Sequence, residues 1–215
     1  MRRTSPLFFL AIATLVVMGA GQPAPQRLPS FSDTQRTDLD RISTYLNGLK
    51  TLKADFIQID PDGTIDQGTF YLSRPGRLRF EYRPPNPTLV VANDGNIWVK
   101  NSQLNTVDRY SLSDTPLGLL LKNGVDLQRN RAIVGIDDEN GVITLHARTS
   151  TNRAQGNITL VFTSASLELR QWTVKDNQGL LTTVALRDVQ TGMALPDTLF
   201  IPPHKDKAAP GKKGG

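Results

Sequence analysis

The sequence predicts a mainly β protein built on an antiparallel sheet, and three observations support this. Apolar and charged residues alternate over short stretches, most clearly in 77–82, where Leu78, Phe80 and Tyr82 share one face. Turn signals such as Pro61-Asp62-Gly63 separate these stretches. Only two helical patterns interrupt them. Because strands joined by short turns run in opposite directions, we expect an antiparallel sheet.

The first element is an amphipathic helix. Ser32 and Gln35 have the spacing of a capping box, in which each side chain bonds the other residue's backbone. Four apolar residues follow at helical intervals and form one stripe: Leu39, Ile42, Leu46 and Leu49. This helix is therefore expected to be amphipathic, with one apolar stripe.

About ten strands in hairpin order make up most of the remaining chain. Gly68, inside the second strand, suggests a bulge or the close approach of another backbone. Segment 199–201 is a candidate last strand that closes the sheet. The predicted strands lie at 52–57, 64–73, 77–82, 89–92, 97–100, 106–110, 131–137, 142–148, 157–163, 167–175 and 180–188.

The second helix is short and apolar. Asp114 can cap it, Pro116 suits its first turn and Gly124 ends it. A helix of barely two turns is not stable alone, so it has to lean on the sheet. Its apolar residues are Leu117, Leu120 and Leu121. We expect a small apolar helix that covers the apolar face of the sheet and is able to move.

Residues 1–21 are interpreted as a secretory signal peptide. Arg2 and Arg3 precede an apolar run at 7–19, which is shorter than the about 20 residues a membrane-spanning helix needs. The alternative is a membrane anchor. The sequence contains no cysteine, which excludes disulfides and a cysteine-linked lipid. We therefore expect a soluble exported protein whose fold rests on its core.

The charge argues against nucleic acid as a partner. The net charge is +5, and removal of Arg2 and Arg3 leaves +3. The segment 204–215 carries four lysines against Asp206, so it accounts for that remainder. The folded body, 22–203, is close to neutral, whereas phosphate binding needs a basic face. The lysine-rich tail has no apolar face and is expected to be disordered.

No catalytic or metal-binding motif is apparent. The two histidines, His146 and His204, lack the spacing of a zinc site, and no phosphate loop, nucleophile elbow or dinucleotide fingerprint occurs. Carboxylates fall mostly in turns, where they satisfy the backbone. We expect no enzyme activity and no cofactor. A pair of carboxylates on neighbouring strands is the alternative, because sequence does not reveal one.

The apolar residues of the short strands carry the functional hypothesis. They either form an ordinary sandwich core or line a cavity for an apolar ligand. Both interpretations are compatible with the pattern alone. The residues are Phe56, Phe70, Leu78, Phe80, Tyr82, Leu89, Val91 and Trp98.

An ordered set of segments resembles the periplasmic outer-membrane lipoprotein carrier family, LolA. No single piece is specific, but together they extend over nearly all of 30–203. This chain departs from the family after Pro203. The family often continues there into an ordered segment, whereas this chain continues into a lysine-rich one. The matching pieces are 49–58, which ends in Phe56-Ile57-Gln58, then Gln67-Gly68 through Phe70 to Arg74-Pro75, the strand 78–82, Asn93-Asp94-Gly95 with Trp98, Thr115-Pro116-Leu117 and Phe200-Ile201-Pro202-Pro203.

This resemblance implies an unclosed barrel of about eleven strands with helices forming a lid over its inner face. It implies a periplasmic carrier, acting as a monomer, that binds lipoprotein acyl chains. An inner-membrane ABC transporter would supply the lipoprotein and an outer-membrane receptor would accept it. Because the receptor of this system is itself a lipoprotein, the missing cysteine indicates the soluble carrier. The lid residues Leu117, Leu120 and Leu121 would join the strand residues around the ligand.

Arg74 matches the arginine that, in the family, bonds backbone carbonyls of the closed lid. The alternative for a lone arginine after a strand is a solvated charge. Two further function classes stay open at this stage. One is a periplasmic sensor with the same fold, and the other is a hydrolase or lyase of unrecognised type.

Overall fold

The computed structural model describes residues 29–115, 117–150 and 155–206. The proposed signal peptide and Pro116 lie outside these residues. The first helix, α1, extends over Asp33–Gly48 and begins with the predicted capping box. The Gln35 N–H donates to Ser32 Oγ at 3.2 Å, and the Ser32 N–H donates to Gln35 Oε1 at 3.0 Å. Two of the unpaired donors at the helix start are thereby satisfied.

The described residues form eleven strands in one antiparallel sheet, which confirms the predicted fold class. The predicted strand boundaries agree with the observed ones within three residues. The strands are β1 Thr51–Ile59, β2 Ile65–Ser73, β3 Arg77–Tyr82, β4 Thr88–Asn93, β5 Asn96–Asn101, β6 Thr106–Ser111, β7 Ile133–Glu139, β8 Val142–Ser150, β9 Gln155–Thr163, β10 Leu169–Lys175 and β11 Leu181–Thr191.

The order of the strands explains why the sheet stays open. It is β6-β5-β4-β3-β2-β1-β11-β10-β9-β8-β7, so the first and last strands pair at its centre. The two edges are β6 and β7, which are consecutive in sequence but not paired with each other. Residues 112–132, which we call the lid segment, connect these edges. The connection therefore runs from one open edge of the sheet to the other.

One face of this sheet holds the core. Apolar residues from both halves of the sheet join α1 in a single contiguous cluster. In α1, Leu39, Ile42 and Leu46 are fully buried in this cluster, as the helical stripe predicted. We refer to the side of the sheet that packs against α1 and the lid segment as the inner face.

The second helix is shorter than predicted. Residues Leu112–Asp114 form a 3-10 turn, and the backbone of Thr115 is extended. The helix itself, α2, comprises Gly118–Leu121 with Leu117 at its N-cap position. The prediction that Asp114 caps this helix is therefore wrong, because the extended Thr115 separates the two elements.

The predicted closing strand at 199–201 is also wrong. Asp197–Phe200 forms a second 3-10 turn, and this turn lies on the outer face of β3 and β4. Arg79 donates to the Leu199 carbonyl at 3.2 Å and Asn93 to the Phe200 carbonyl at 3.1 Å. Phe200 is 1 % exposed there. A residue that packs its ring on the back of the sheet cannot extend its edge.

The first residues of the predicted disordered tail are held on the body. The Asp206 carboxylate accepts from Lys100 Nζ at 2.7 Å. The Asp206 N–H donates to Asn105 Oδ1 at 2.8 Å, and Asn105 Nδ2 donates to the Asp206 carbonyl at 3.2 Å. Asp206 is thus bonded to β5 and to the turn after it. The rest of the tail, 207–215, lies outside the described residues.

Candidate functional site

Aromatic side chains from β1, β2 and β3 form the centre of the inner face. The ring of Phe80 lies 4.6 Å from Phe70 and 5.2 Å from Phe56, measured between centroids. Phe56 in turn makes an edge contact with Tyr82 at 5.1 Å. Such pairs add about 0.5–1.5 kcal/mol each to the burial of their area. Trp172 of β10 joins this cluster at 5.5 Å from Phe70.

Strand pairing explains how these residues meet. Phe70 is directly opposite Phe80, and Leu72 is opposite Leu78. Side chains directly opposite each other in an antiparallel pair point to the same face of the sheet. The predicted set of Leu78, Phe80 and Tyr82 therefore shares the inner face with the apolar residues of β2.

Gly68 makes room for this cluster. It pairs with Phe56 on one side and Tyr82 on the other. An added Cβ at Gly68 would lie 2.2 Å from the Glu81 carbonyl oxygen and 2.5 Å from Cε1 of Phe56. The close approach expected from the sequence is thus present, and the aromatic ring of Phe56 occupies the space that a side chain would take.

Three predicted cavity residues lie on the opposite, outer face. Val91 is opposite Arg79, and Leu89 is opposite Glu81. Trp98 of β5 is opposite Val91. The assignment of Leu89, Val91 and Trp98 to the inner face is therefore wrong.

The neighbours of these residues take their place on the inner face. Leu78 pairs with Ala92 and Phe80 with Val90. Residues 89–92 are a continuous apolar run without alternation, so periodicity could not indicate which side faces inward. The run is apolar because both faces of β4 are in contact with protein, the outer one through the second 3-10 turn. Val91 accordingly has no exposed surface.

The lid segment fills the inner face in this structure. Leu120 is 4 % exposed and Leu121 is 1 % exposed, and both belong to the same cluster as Phe70 and Phe80. Leu117 packs against this cluster while partly buried. Leu117, Leu120 and Leu121 therefore cover part of the apolar surface of the inner face in this structure.

Arg74 lies under the end of α2 and is 8 % exposed. Its Nη2 donates to the carbonyl of Lys122, the residue that follows α2. The nearby Gly76 N–H donates to the Leu121 carbonyl at 3.0 Å. Burial lowers the pKa of the Arg74 guanidinium. The turn between β2 and β3 thus satisfies carbonyls at the C-terminal end of the lid helix, which that helix leaves unpaired.

A second attachment of the lid was not predicted. Asn47 of α1 accepts from the Val125 N–H through Oδ1 and donates to the Val125 carbonyl through Nδ2, both at 2.8 Å. Ser43 accepts from the Leu127 N–H at 3.1 Å. Ser43 and Asn47 lie four positions apart, beside the apolar stripe of α1. This spacing places both on one side of the helix and was the sequence signal that could have indicated a polar contact there. The lid is therefore held from the helix side as well as from the sheet side.

Polar groups replace apolar ones at the end of the inner face near Tyr82. The Tyr82 hydroxyl donates to Gln58 Oε1 at 2.7 Å, and Gln58 Nε2 donates to Asp60 Oδ1 at 2.8 Å. Burial, together with the charges of Asp60 and Asp66, raises the pKa of Tyr82. The apolar surface thus has one polar end here and another at Arg74.

Within 29–115, 117–150 and 155–206, no helix has both the length and the apolar character required to cross a bilayer. Among these residues, no group of three or more His, Cys, Asp or Glu side chains is arranged to hold a metal ion.

Sequence comparisons agree with this architecture. The family model described as "Outer membrane lipoprotein carrier protein LolA" matches residues 47–202. An outer-membrane lipoprotein carrier protein from Methylococcus capsulatus is 29 % identical, over 79 % of this chain and 85 % of its own length. Proteins of the same name from Dechloromonas aromatica and Nitrosospira multiformis are 28 % and 27 % identical. Those matches cover 75 % and 79 % of this chain, and 81 % and 86 % of the two relatives.

Proposed function

Because this chain belongs to the outer-membrane lipoprotein carrier family LolA, we propose that it shields lipoprotein acyl chains on its inner face while they cross the periplasm. One observation carries the proposal. The inner face is a continuous apolar surface that is covered partly by α1 and partly by α2, a helix of only four residues, Gly118–Leu121. A helix of that length has no stability of its own, so a competing apolar ligand can displace it.

The energetics of such a carrier follow from hydrophobic burial. Each CH₂ group of an acyl chain contributes about 0.8 kcal/mol when it leaves water. A ligand chain on the inner face gains this energy but displaces the lid leucines, Leu117, Leu120 and Leu121, from the same surface. Burial of the acyl chain favours binding, and exposure of the lid leucines opposes it. The acyl chain is therefore bound reversibly. Binding and release then account for the function, and no catalytic step or cofactor is needed.

Arg74 is proposed to bias this competition toward the closed state. Its bond to the Lys122 carbonyl exists when the lid is shut and breaks when α2 moves away. A charge-assisted hydrogen bond contributes about 1.5–3 kcal/mol, which changes the ratio of closed to open molecules by about tenfold to hundredfold. Closing therefore helps to expel the acyl chains at handover.

We propose two protein partners on this basis. An inner-membrane ABC transporter releases the lipoprotein to the chain, and an outer-membrane receptor accepts it. The chain itself contains no cysteine to which a lipid could be attached. Carrying lipoproteins from this transporter to this receptor is the role of a soluble periplasmic carrier, which binds each lipoprotein as a monomer.

The experiment separates uptake from delivery with Arg74→Leu. Uptake is measured as lipoprotein released from transporter-containing proteoliposomes into a complex with the purified chain. Delivery is measured as transfer from that complex to outer-membrane vesicles. We expect normal or improved uptake and defective delivery, because the open state gains population. Arg74→Lys should be intermediate, since lysine keeps the charge but lacks the planar guanidinium.

Arg83→Leu is the matched control. Arg83 is an exposed arginine paired with Asp55, and its side chain does not bond the lid. It should leave both steps unchanged. Equal loss of uptake and delivery in Arg74→Leu would show that Arg74 only supports the fold. Failure of the wild-type chain to take up lipoprotein would refute the proposed function.

A further inference from the structure

The guanidinium of Arg74 is buried with most of its donors unused. Arginine has five N–H donors. Among the described residues, only Nη2 has an acceptor, the Lys122 carbonyl. Nε and Nη1 are buried and have no hydrogen-bond partner among the described residues. A lid latch requires the first contact but does not explain the buried donors that remain.

The charge of Arg74 is also unbalanced. No described carboxylate lies within ion-pair distance of its side chain, whereas eight other Arg or Lys side chains among the described residues pair with a carboxylate. Arginine stays protonated when buried. A buried charge without a counter-charge is costly, and an anionic oxygen at this place would remove much of that cost.

The position of Arg74 indicates what such an oxygen would be attached to. Along β2, the residues that face inward are Gly68, Phe70 and Leu72. Arg74 follows next in this even-numbered series, at the end of the apolar surface and beside the lid. Leu72 and the neighbouring Leu78 are each 2 % exposed. A ligand held by this charge would therefore lay any hydrocarbon chain along the inner face.

We propose that Arg74 is a head-group site for a single-chain anionic amphiphile, whose carboxylate or phosphate accepts from the unused N–H groups. The hydrocarbon chain lies along the Phe70, Leu72 and Leu78 surface after it has displaced the lid leucines. This inference rests on the proposed binding of acyl chains to the inner face, and adds an anion preference that a lipoprotein's neutral ester and amide groups do not require. It also assigns different donors of Arg74 to the ligand and to the lid.

The test compares a charged ligand with its neutral counterpart. The conjugated fatty acid cis-parinaric acid becomes fluorescent when bound, and its methyl ester has the same chain without the charge. For the wild-type chain at neutral pH, we expect the acid to bind at least about tenfold more tightly than the ester, as charge-assisted hydrogen bonds predict. Hexadecyl phosphate and hexadecanol, used as competitors, form the second pair and distinguish a phosphate from a carboxylate preference.

Substitution of Arg74 should remove the preference without removing binding. In Arg74→Leu, the acid should weaken to the affinity of the ester, while the ester binds as before or more tightly. Arg74→Lys should keep part of the preference. Arg83→Leu should keep all of it, because Arg83 is on the exposed surface. Thermal unfolding of each variant shows whether the fold is intact, and Arg74→Lys preserves the test if Arg74→Leu is unfolded.

The outcomes separate this inference from the proposed function. Equal affinity of the wild-type chain for acid and ester, or a preference that survives in folded Arg74→Leu, overturns the head-group site. If lipoprotein uptake is normal in that case, acyl-chain carriage still stands. If the ester, the acid and lipoproteins all fail to bind, the apolar inner face is not a lipid site and both proposals fail.

Discussion

Substitution of Gly68 by alanine tests how tightly the inner face is packed. The new methyl group would lie 2.2 Å from the Glu81 carbonyl oxygen and 2.5 Å from Cε1 of Phe56. The carbonyl belongs to the backbone of β3, so it can move only if the strand moves. The Phe56 ring is confined by Phe80 at 5.2 Å and Tyr82 at 5.1 Å. Neither the Glu81 carbonyl nor the Phe56 ring can therefore move aside without disturbing the packing around it.

The expected cost follows from two opposing terms. Overpacking a well-packed core costs about 1–3 kcal/mol, and the backbone clash favours the upper part of this range. Alanine recovers about 0.5–1 kcal/mol, because glycine loses more conformational freedom on folding. We therefore expect Gly68→Ala to lower the free energy of unfolding by about 1–2 kcal/mol.

Urea unfolding followed by tryptophan fluorescence measures this loss as a lower midpoint with an unchanged slope. Gly48→Ala is the control, because Gly48 lies near the end of α1 with nothing within 4 Å of an added Cβ. It should be neutral or stabilising by up to about 1 kcal/mol. In a Phe56→Leu background, the cost of Gly68→Ala should shrink by at least about 0.5 kcal/mol. Wild-type stability of Gly68→Ala would refute the close packing of β1, β2 and β3.

Three other substitutions test separate parts of the structure. Phe80→Glu should abolish lipoprotein uptake and cost at least about 3 kcal/mol of stability, since Phe80 is 6 % exposed among aromatic rings; a fully stable, active variant would contradict its inward position. Ser32→Ala should cost about 1 kcal/mol in urea unfolding through loss of the α1 cap, and an unchanged midpoint would exclude that cap. Folding raises the pKa of Tyr82 above that of an unfolded tyrosine, which is about 10. The contribution of Tyr82 to the free energy of unfolding is therefore complete below about pH 10, and it is lost as the pH rises toward the pKa of the folded state. Tyr82→Phe should therefore flatten the fall in unfolding free energy above about pH 10, and an identical pH profile would show that Tyr82 does not titrate with unfolding.

The periodic elements could be predicted because their signals are local. In β3, charged and apolar residues alternate, so the sequence alone determined that Leu78 and Phe80 share a face. The capping box at Ser32 and Gln35 likewise depends on residues only three positions apart. The position of Arg74 beside the lid was reached through the family resemblance, since no local pattern links residue 74 to Lys122.

The tertiary structure alone decided which side of β4 and β5 faces inward. Residues 89–92 are apolar without alternation, and a shift of one residue in pairing exchanges their two faces. The register with β3 places Val90 inward and Val91 outward. Val91 is buried all the same, because the chain returns over a hundred positions later and packs Phe200 on that side of the sheet. Contacts between residues so far apart in sequence leave no periodicity, so an apolar residue facing outward could not be distinguished from one that faces the ligand.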